Sequence, residues 1–184
     1  MSIILTGKKV ILRPLSLKDA PNFCRWLADP EVTQFLEIHD LPKPSLKEER
    51  DWIKQAQVAK NKISFSIDTI KHQHIGTVSL DKISEYHKRV SFGIFIGDKE
   101  YWGQGYGTEA VKLILDYGFR KLRLHRIYLS VIAFNFRAQK AYKKVGFKFE
   151  GKFRQHMYRN GAWHDLLWMG VLQEEYLKKF KSKK

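Results

Sequence analysis

The stretch Trp102-Gly103-Gln104-Gly105-Tyr106-Gly107-Thr108 sets a glycine at every second position, between an apolar segment ending near Ile96 and a helical pattern starting near Thr108. Alternating glycines let successive backbone N–H groups approach a ligand with no Cβ in the way. The helix start behind them adds unpaired N–H groups and the positive end of the helix dipole. Together these features make a cradle for an anion of pyrophosphate size. The same glycines would also suit a tight strand-to-helix turn that binds nothing, and the loop by itself leaves both readings open. A Walker A loop is excluded, because no Gly-Lys-Ser/Thr follows, and the dinucleotide spacing G-x-G-x-x-G is not met.

Working outward, the segment after Gly107 reads as a helix whose polar residues Glu109, Lys112, Asp116 and Arg120 form one solvent stripe on an apolar cylinder. Ile127, Leu129 and Val131 alternate as a strand, and residues 135–144 read as a helix ended by Gly146. Phe147, Phe149 and Phe153 lie on a further strand pattern. Arg159-Asn160-Gly161 marks a tight hairpin into a last strand over residues 163–169. Upstream, residues 90–96, 75–80 and 63–67 read as strands, with Lys71-His72-Gln73-His74 as a polar turn. Ser45-Leu46-Lys47-Glu48 is a capping box that opens a helix to about Lys60. Residues 37–44, with two prolines, read as a loop. Asp29-Pro30-Glu31 starts a short helix through Phe35, Ser16-Leu17-Lys18-Asp19 caps one to about Leu27, and Val10-Ile11-Leu12-Arg13-Pro14 is a first strand. The order predicts a mixed α/β domain and not a regular βαβ repeat.

Composition narrows the class. The 184 residues suit one domain, at 43% hydrophobic and 29% charged. No apolar run reaches the roughly 20 residues that span a bilayer, and residues 1–9 lack signal-peptide order. The single cysteine, Cys24, reads as a small helix residue and fits a reducing compartment, so a cytoplasmic location is expected. Lys plus Arg number 34 against 19 acidic residues, a formal charge of +15 that attracts polyanions without naming one. Part of that excess sits at Lys178, Lys179, Lys181, Lys183 and Lys184, read as a basic tail over residues 173–184. His72 and His74 have no evident third ligand, so no metal is expected.

The glycine loop resembles the acyl-CoA signature of the GNAT acetyltransferases, Gln/Arg-x-x-Gly-x-Gly/Ala. Gly105 and Gly107 match its glycines, and Trp102 stands where the Gln or Arg would be. The run Asn135-Phe136-Arg137-Ala138-Gln139-Lys140-Ala141-Tyr142-Lys143-Lys144-Val145-Gly146-Phe147 resembles the family's Asn…Ala…Tyr…Gly-Phe helix. Leu12-Arg13-Pro14 and residues 160–165 resemble the branch of ribosomal-protein N-acetyltransferases and spermidine acetyltransferases. The similarity covers residues 8–172 as one N-acetyltransferase domain. It implies a mostly antiparallel sheet that splays between residues 90–96 and 126–133, with the pantetheine arm of acetyl-CoA in the gap. By resemblance, the cofactor would be held by the backbone near Ile94, Phe95 and Ile96, by Trp102, Gly103, Gln104, Gly105, Tyr106, Gly107 and Thr108, and by Asn135 and Ala138.

Acetyl transfer needs a neutral amine, an oxyanion donor and an acid for the leaving thiolate. The resemblance gives the acid to Tyr142 and the oxyanion to backbone N–H near Phe95. The strand position where some relatives carry a glutamate is Ser130, so no base is assigned. Glu37 is a candidate on the acceptor side, and Glu31, Glu37 and Asp40 could together form an acidic pocket. Glu31 and Glu109 otherwise read as helix-start carboxylates, and Asp165 as structural. The expected acceptor is a protein or peptide N-terminal α-amine, whose reference pKa of about 7.7–8.0 leaves a usable neutral fraction without a strong base. A polyamine or other small amine is the alternative. Outside catalysis, an acyl-CoA sensor or an RNA-binding module would also fit. Nucleic acid is otherwise expected only by way of a ribosomal substrate, and a homodimer stays open.

Overall fold

The computed structural model describes residues 3–181. Eight strands form one sheet in the order β1-β2-β3-β4-β5-β6-β8-β7. They are β1 (Leu5–Thr6), β2 (Val10–Pro14), β3 (Lys62–Thr69), β4 (His74–Ser84), β5 (Arg89–Ile96), β6 (Arg126–Ile132), β7 (Lys148–Arg159) and β8 (Ala162–Leu172). Every pairing is antiparallel except β5 with β6. The helices are α1 (Ala20–Leu27), α2 (Pro30–Thr33), α3 (Leu46–Val58), α4 (Tyr106–Asp116), α5 (Phe136–Val145) and α6 (Gln173–Lys179). This is the mixed sheet flanked by helices that the sequence predicts. Among the described residues no helix is long and apolar enough to cross a membrane.

Strand alternation gives the sheet two unlike faces. On one, Val10, Leu12, Phe65, Ile67, Val78 and Leu80 are buried in a single apolar cluster with Ala110, Val111, Ile114 and Leu115 of α4, Tyr142 and Val145 of α5, and Tyr176 of α6. On the other, α1 and α3 bury Phe23, Trp26 and Ile53 in a smaller cluster that Phe95, Trp52 and Trp102 adjoin.

Local chemistry accounts for the element ends. Ser45 accepts from Glu48 N–H and Glu48 returns a bond to Ser45 N–H, closing the predicted capping box on α3. Gly146, at φ 109°, ends α5 in the left-handed region. Asn160 and Gly161, at φ 51° and 77°, give the tight hairpin between β7 and β8.

Several boundaries differ from expectation: β4 runs on to Ser84 past the expected end at Leu80, and α2 ends at Thr33, not Phe35. β1 forms although its two residues are too few to show alternation. The polar turn after β3 ends earlier, because His74 already belongs to β4. α4 begins at Tyr106, not near Thr108, since Gly105 in the left-handed region serves as its N-cap. The expected basic tail is partly folded: α6 carries residues 173–179 and fully buries Tyr176 against Phe119. The lysines hid that apolar anchor from composition. Of the tail, residues 182–184 lie outside the described residues.

Candidate functional site

β5 and β6 pair only at Arg89↔Arg126, Val90↔Ile127 and Ser91↔Tyr128, and diverge beyond. The expected splay is therefore present, and its exposed edge follows from the neighbouring ladder. Gly97 N–H donates to Ile75 O at 2.9 Å, and antiparallel hydrogen-bonded pairs alternate from there. Phe95 and Gly93 thus spend their backbone groups on β4, whereas Ile94 and Ile96 turn theirs toward the gap. The Phe95 carbonyl packs so tightly on β4 that a Cβ on Gly76 would collide with it. Ile96 O is taken by the Trp102 indole N–H at 2.7 Å. What remains open is the N–H and C=O of Ile94 and the N–H of Ile96. The oxyanion donor expected near Phe95 is corrected accordingly: Phe95 N–H faces the wrong strand, and its ring packs among Phe23 and Trp26.

The glycine loop sits where α4 begins. Gly103 and Gly105 adopt φ of 73° and 88°, and a Cβ on either would meet nothing within 4 Å. They are needed for backbone conformation, not for space. The first turn of α4 leaves the N–H groups of Tyr106, Gly107 and Thr108 without a helical acceptor. These donors, aimed with the helix dipole, can hold a phosphate group. Gln104 is occupied locally, its carboxamide N–H bonding Glu100 O. Lys9 adds a cation that the sequence did not single out, its Nζ 2.9 Å from Gln104 O and over the Tyr106 ring. Glu109 accepts from the N–H groups of Lys8, Lys9 and Val10 at 2.6–3.0 Å. It pins β2 to α4, beyond the helix-start role expected of it.

Across the gap, Asn135 caps α5, its Oδ1 accepting from Ala138 N–H at 3.1 Å. That bond commits the Asn135 carbonyl and the Ala138 amide to the helix, so only the Asn135 NH₂ is left to meet a ligand. Two positions on, Arg137 lies with its guanidinium carbon 3.7 Å above the Trp102 ring. Among the described residues no carboxylate pairs with it. Partial desolvation lowers its pKa, and distant Glu31 opposes that shift. This stack joins α5 to the glycine loop over 35 positions of sequence, which no local pattern signals.

Tyr142 is buried on the same side, edge-on to Phe92 and Phe147 with ring centroids 6.0 and 5.7 Å away. Burial raises its pKa well above the ordinary phenol value, so the hydroxyl stays protonated at neutral pH. Among the described residues nothing hydrogen-bonds that hydroxyl. The hydroxyl is thus an uncommitted donor, and burial makes it a weaker acid than a free phenol.

On the other face, the expected acidic pocket is not assembled. Glu31 and Asp29 are both bonded to Lys99 Nζ, at 2.7 and 2.8 Å. Asp40 is bonded by buried Arg159, which also holds Leu36 O. Glu37 is exposed between those anchors, in a segment whose Phe35 ring packs on Phe134 beyond β6. Asp165 accepts from Lys152 Nζ and Gln155 N–H and is structural, as read. Ser130 lies on β6 past the last pair with β5, opposite Trp168 of β8. His74 is buried and bonded to Asn22 and Gly76, and the described residues hold no cluster of three or more metal-ligand side chains.

Comparison with known proteins gives this geometry a context. Residues 9–148 match the Acetyltransferase (GNAT) domain family. An uncharacterized N-acetyltransferase of Bacillus licheniformis, p20, is 29% identical over 177 residues, covering 94% of this chain and 97% of that protein. Spermidine N(1)-acetyltransferase of Escherichia coli (strain K12) is 38% identical over 107 residues, 58% of this chain and 57% of the enzyme. The crystal structure of spermidine N-acetyltransferase from Vibrio cholerae in complex with CoA and spermine shares the fold at a TM-score of 0.84. It is 27% identical, covering 93% of this chain and 99% of that one.

Proposed function

The chain belongs to the GNAT acetyltransferase family, and from that premise we propose that it transfers the acetyl group of acetyl-CoA to a small primary amine of the polyamine class. The observation that carries the reading is the gap that opens where β5 and β6 part beyond Ser91 and Tyr128, edged by the Ile94 backbone, with buried Tyr142 packed against Phe92 of β5. The N–H groups of Tyr106, Gly107 and Thr108 hold the pyrophosphate of acetyl-CoA, supported by Lys9 and by Arg137 on Trp102. The pantetheine arm runs into the gap along Ile94 and Ile96.

The uncharged acceptor nitrogen attacks the thioester carbonyl, and the electron pair moves to the carbonyl oxygen. Ile94 N–H, rigid in the sheet, stabilises that oxyanion. Collapse of the adduct breaks the C–S bond, and the Tyr142 hydroxyl gives its proton to the leaving sulfur. The acceptor nitrogen sheds its proton to solvent water, and a proton from solvent returns the Tyr142 phenolate to its hydroxyl before the next turnover.

The acceptor expected from sequence was an α-amine. Similarity to the spermidine enzymes of Escherichia coli and Vibrio cholerae supports the small-amine alternative instead. The test is kcat/KM for spermidine against a short N-terminal peptide, followed by thiol release at fixed ionic strength. We expect spermidine to be preferred by about tenfold or more, a difference of roughly 1.4 kcal/mol in transition-state stabilisation. A preference for the peptide would restore the α-amine reading.

A further inference from the structure

The face of the sheet opposite the main core carries a polar row at the mouth of the gap. Asp81 of β4 stands opposite Ser91 of β5, which stands opposite Tyr128 of β6. One step along, Ser79 stands opposite Gly93. Cross-strand partners share a face, so Ser79, Asp81, Ser91 and Tyr128 project together. Aspartate is disfavoured within strands, and its presence mid-strand in β4 calls for a physical reason.

The geometry points to Asp81 as the residue that anchors the acceptor's ammonium group, an inference that rests on the proposed transfer to a cationic amine. Asp81 Oδ2 accepts from the Ser79 hydroxyl at 2.5 Å. Its other oxygen meets Lys62 Nζ at 2.9 Å, with the two side chains 29% and 26% exposed. The carboxylate is therefore oriented, reachable by water and already shaped to receive a primary ammonium. Gly93 lies beside it on the strand that edges the gap. A Cβ there would sit 3.4 Å from Ser79 Oγ and 3.8 Å from Asp81 Oδ2, so the glycine leaves the surface above the carboxylate uncovered by a side chain of β5. The next residue is Ile94, whose backbone opens into the gap.

Two other carboxylates are committed elsewhere. Asp19 and Asp68 share the Arg13 guanidinium at 2.7 and 2.6 Å and are buried. Lys62 is a displaceable partner of Asp81, since both side chains are part-exposed and their pairing is screened by solvent. Its ammonium also lies over the Trp52 ring, 5.4 Å from the centroid, a second resting place when the acceptor arrives. Asp81 thus selects for acceptors that bring a positive charge and places them beside Ile94.

Calorimetric titration of spermidine into the CoA-loaded protein tests this without requiring turnover. Asp81→Asn keeps the side-chain shape and the Ser79 bond but removes the charge. It is expected to weaken spermidine binding about 10- to 100-fold, the scale of a charged hydrogen bond, with CoA affinity unchanged. Lys62→Met frees the carboxylate and is expected to leave spermidine binding equal or tighter. Asp81→Asn within about twofold of wild type, Lys62→Met weakening binding as much as Asp81→Asn, or no spermidine binding by the wild type would each overturn the inference. Should Asp81→Asn not fold, Ser79→Ala reads the same site: severalfold weaker binding supports the anchor, and unchanged binding overturns it. A wild type that binds spermidine through Asp81 yet transfers no acetyl group would keep the anchor and remove the proposed activity.

Discussion

On the α4 and α5 side the sheet buries Val78, Leu80, Phe92, Ile127 and Leu129 in one apolar cluster with the helices. On the α1 side it buries Asp19, Ser66, Asp68 and His74 around the Arg13 guanidinium, which bonds both carboxylates. Ser66, Asp68 and His74 come from the same strands as the core residues, and Asp19 from the turn before α1. The difference between the two sides follows the division of labour between the two substrates. An acyl-CoA is held through backbone groups, and a close-packed apolar core keeps backbone in place. A cationic acceptor must be met by side-chain charge, and a face that carries such charge has to pair every carboxylate it does not use. Asp19 and Asp68 are paired with the Arg13 guanidinium and buried, whereas Asp81 keeps only a part-exposed pair with Lys62.

The largest effect expected from breaking this comparison is at Tyr142, which places a hydroxyl within the apolar cluster of the α4–α5 side. Tyr142→Phe removes only the hydroxyl. Turnover should fall by roughly 10²–10⁴-fold, the usual scale for a positioned proton donor. Acetyl-CoA affinity and melting temperature should hold, since no hydrogen bond from that hydroxyl is lost within the described residues. Single-turnover kinetics under saturating substrates give the measurement. If the rate is unchanged, the α4–α5 face serves packing alone and the leaving thiolate needs no acid from it.

A smaller effect is expected at Arg137, which is exposed and therefore screened by salt. Arg137→Ala should weaken acetyl-CoA binding about fivefold to thirtyfold at low ionic strength, with the difference shrinking as salt rises. Arg137→Lys keeps the charge but not the planar stack on Trp102, and should recover only part of the loss. Full recovery would mean that the stack contributes nothing and that Trp102 serves only to bond Ile96 O.

What sequence revealed follows the same divide. The glycine loop, the Ser45 capping box, the Gly146 stop and the Asn160-Gly161 hairpin are local signals, each contained within a few residues, and together they give the mixed sheet and the helix starts. The acceptor side is built from contacts that join distant positions: Arg13 to Asp68, Lys62 to Asp81, Arg159 to Asp40. No spacing rule links such pairs, so sequence alone names no partner for Asp81, Glu31 or Asp40. The Phe95 assignment failed for a subtler reason. Which residues of a strand face a gap depends on hydrogen-bond parity with the neighbouring strand, and hydrophobic alternation carries no information on that parity.

The smallest expected effect concerns His74, where the two faces are joined by β4. Its Nε2 lies 2.9 Å from Gly76 O, so that nitrogen carries the proton, and Nδ1 accepts from the Asn22 carboxamide at 3.2 Å. Asp19 Oδ1 stands 3.6 Å from Nδ1, and Arg13 and Asp68 are the other charges acting on the ring. Burial lowers the His74 pKa below its ordinary value of 6.5, and Arg13 reinforces that shift against the opposing pull of Asp19. The unfolded chain then takes up a proton before the folded one as pH falls. His74 thus contributes no pH slope above about pH 6.5, and stability is lost as pH falls below that value toward the depressed folded pKa. Asp19 acts with the same sign, because its net pKa is lowered. Burial raises it, but the bonds from Arg13 and Ser66 outweigh burial, and its window opens only below 3.8. The two groups therefore separate on the pH axis. Urea unfolding at steps from pH 7.5 to 5 should show a slope approaching, and not exceeding, about 1.4 kcal/mol per pH unit from this one proton. His74→Gln, which keeps a donor for Gly76 O and cannot charge, should flatten that slope, and the Asp19 contribution, confined below pH 3.8, lies outside this range. Identical slopes for wild type and variant would mean that His74 charges freely in the folded state and that the buried charge around Arg13 accommodates it.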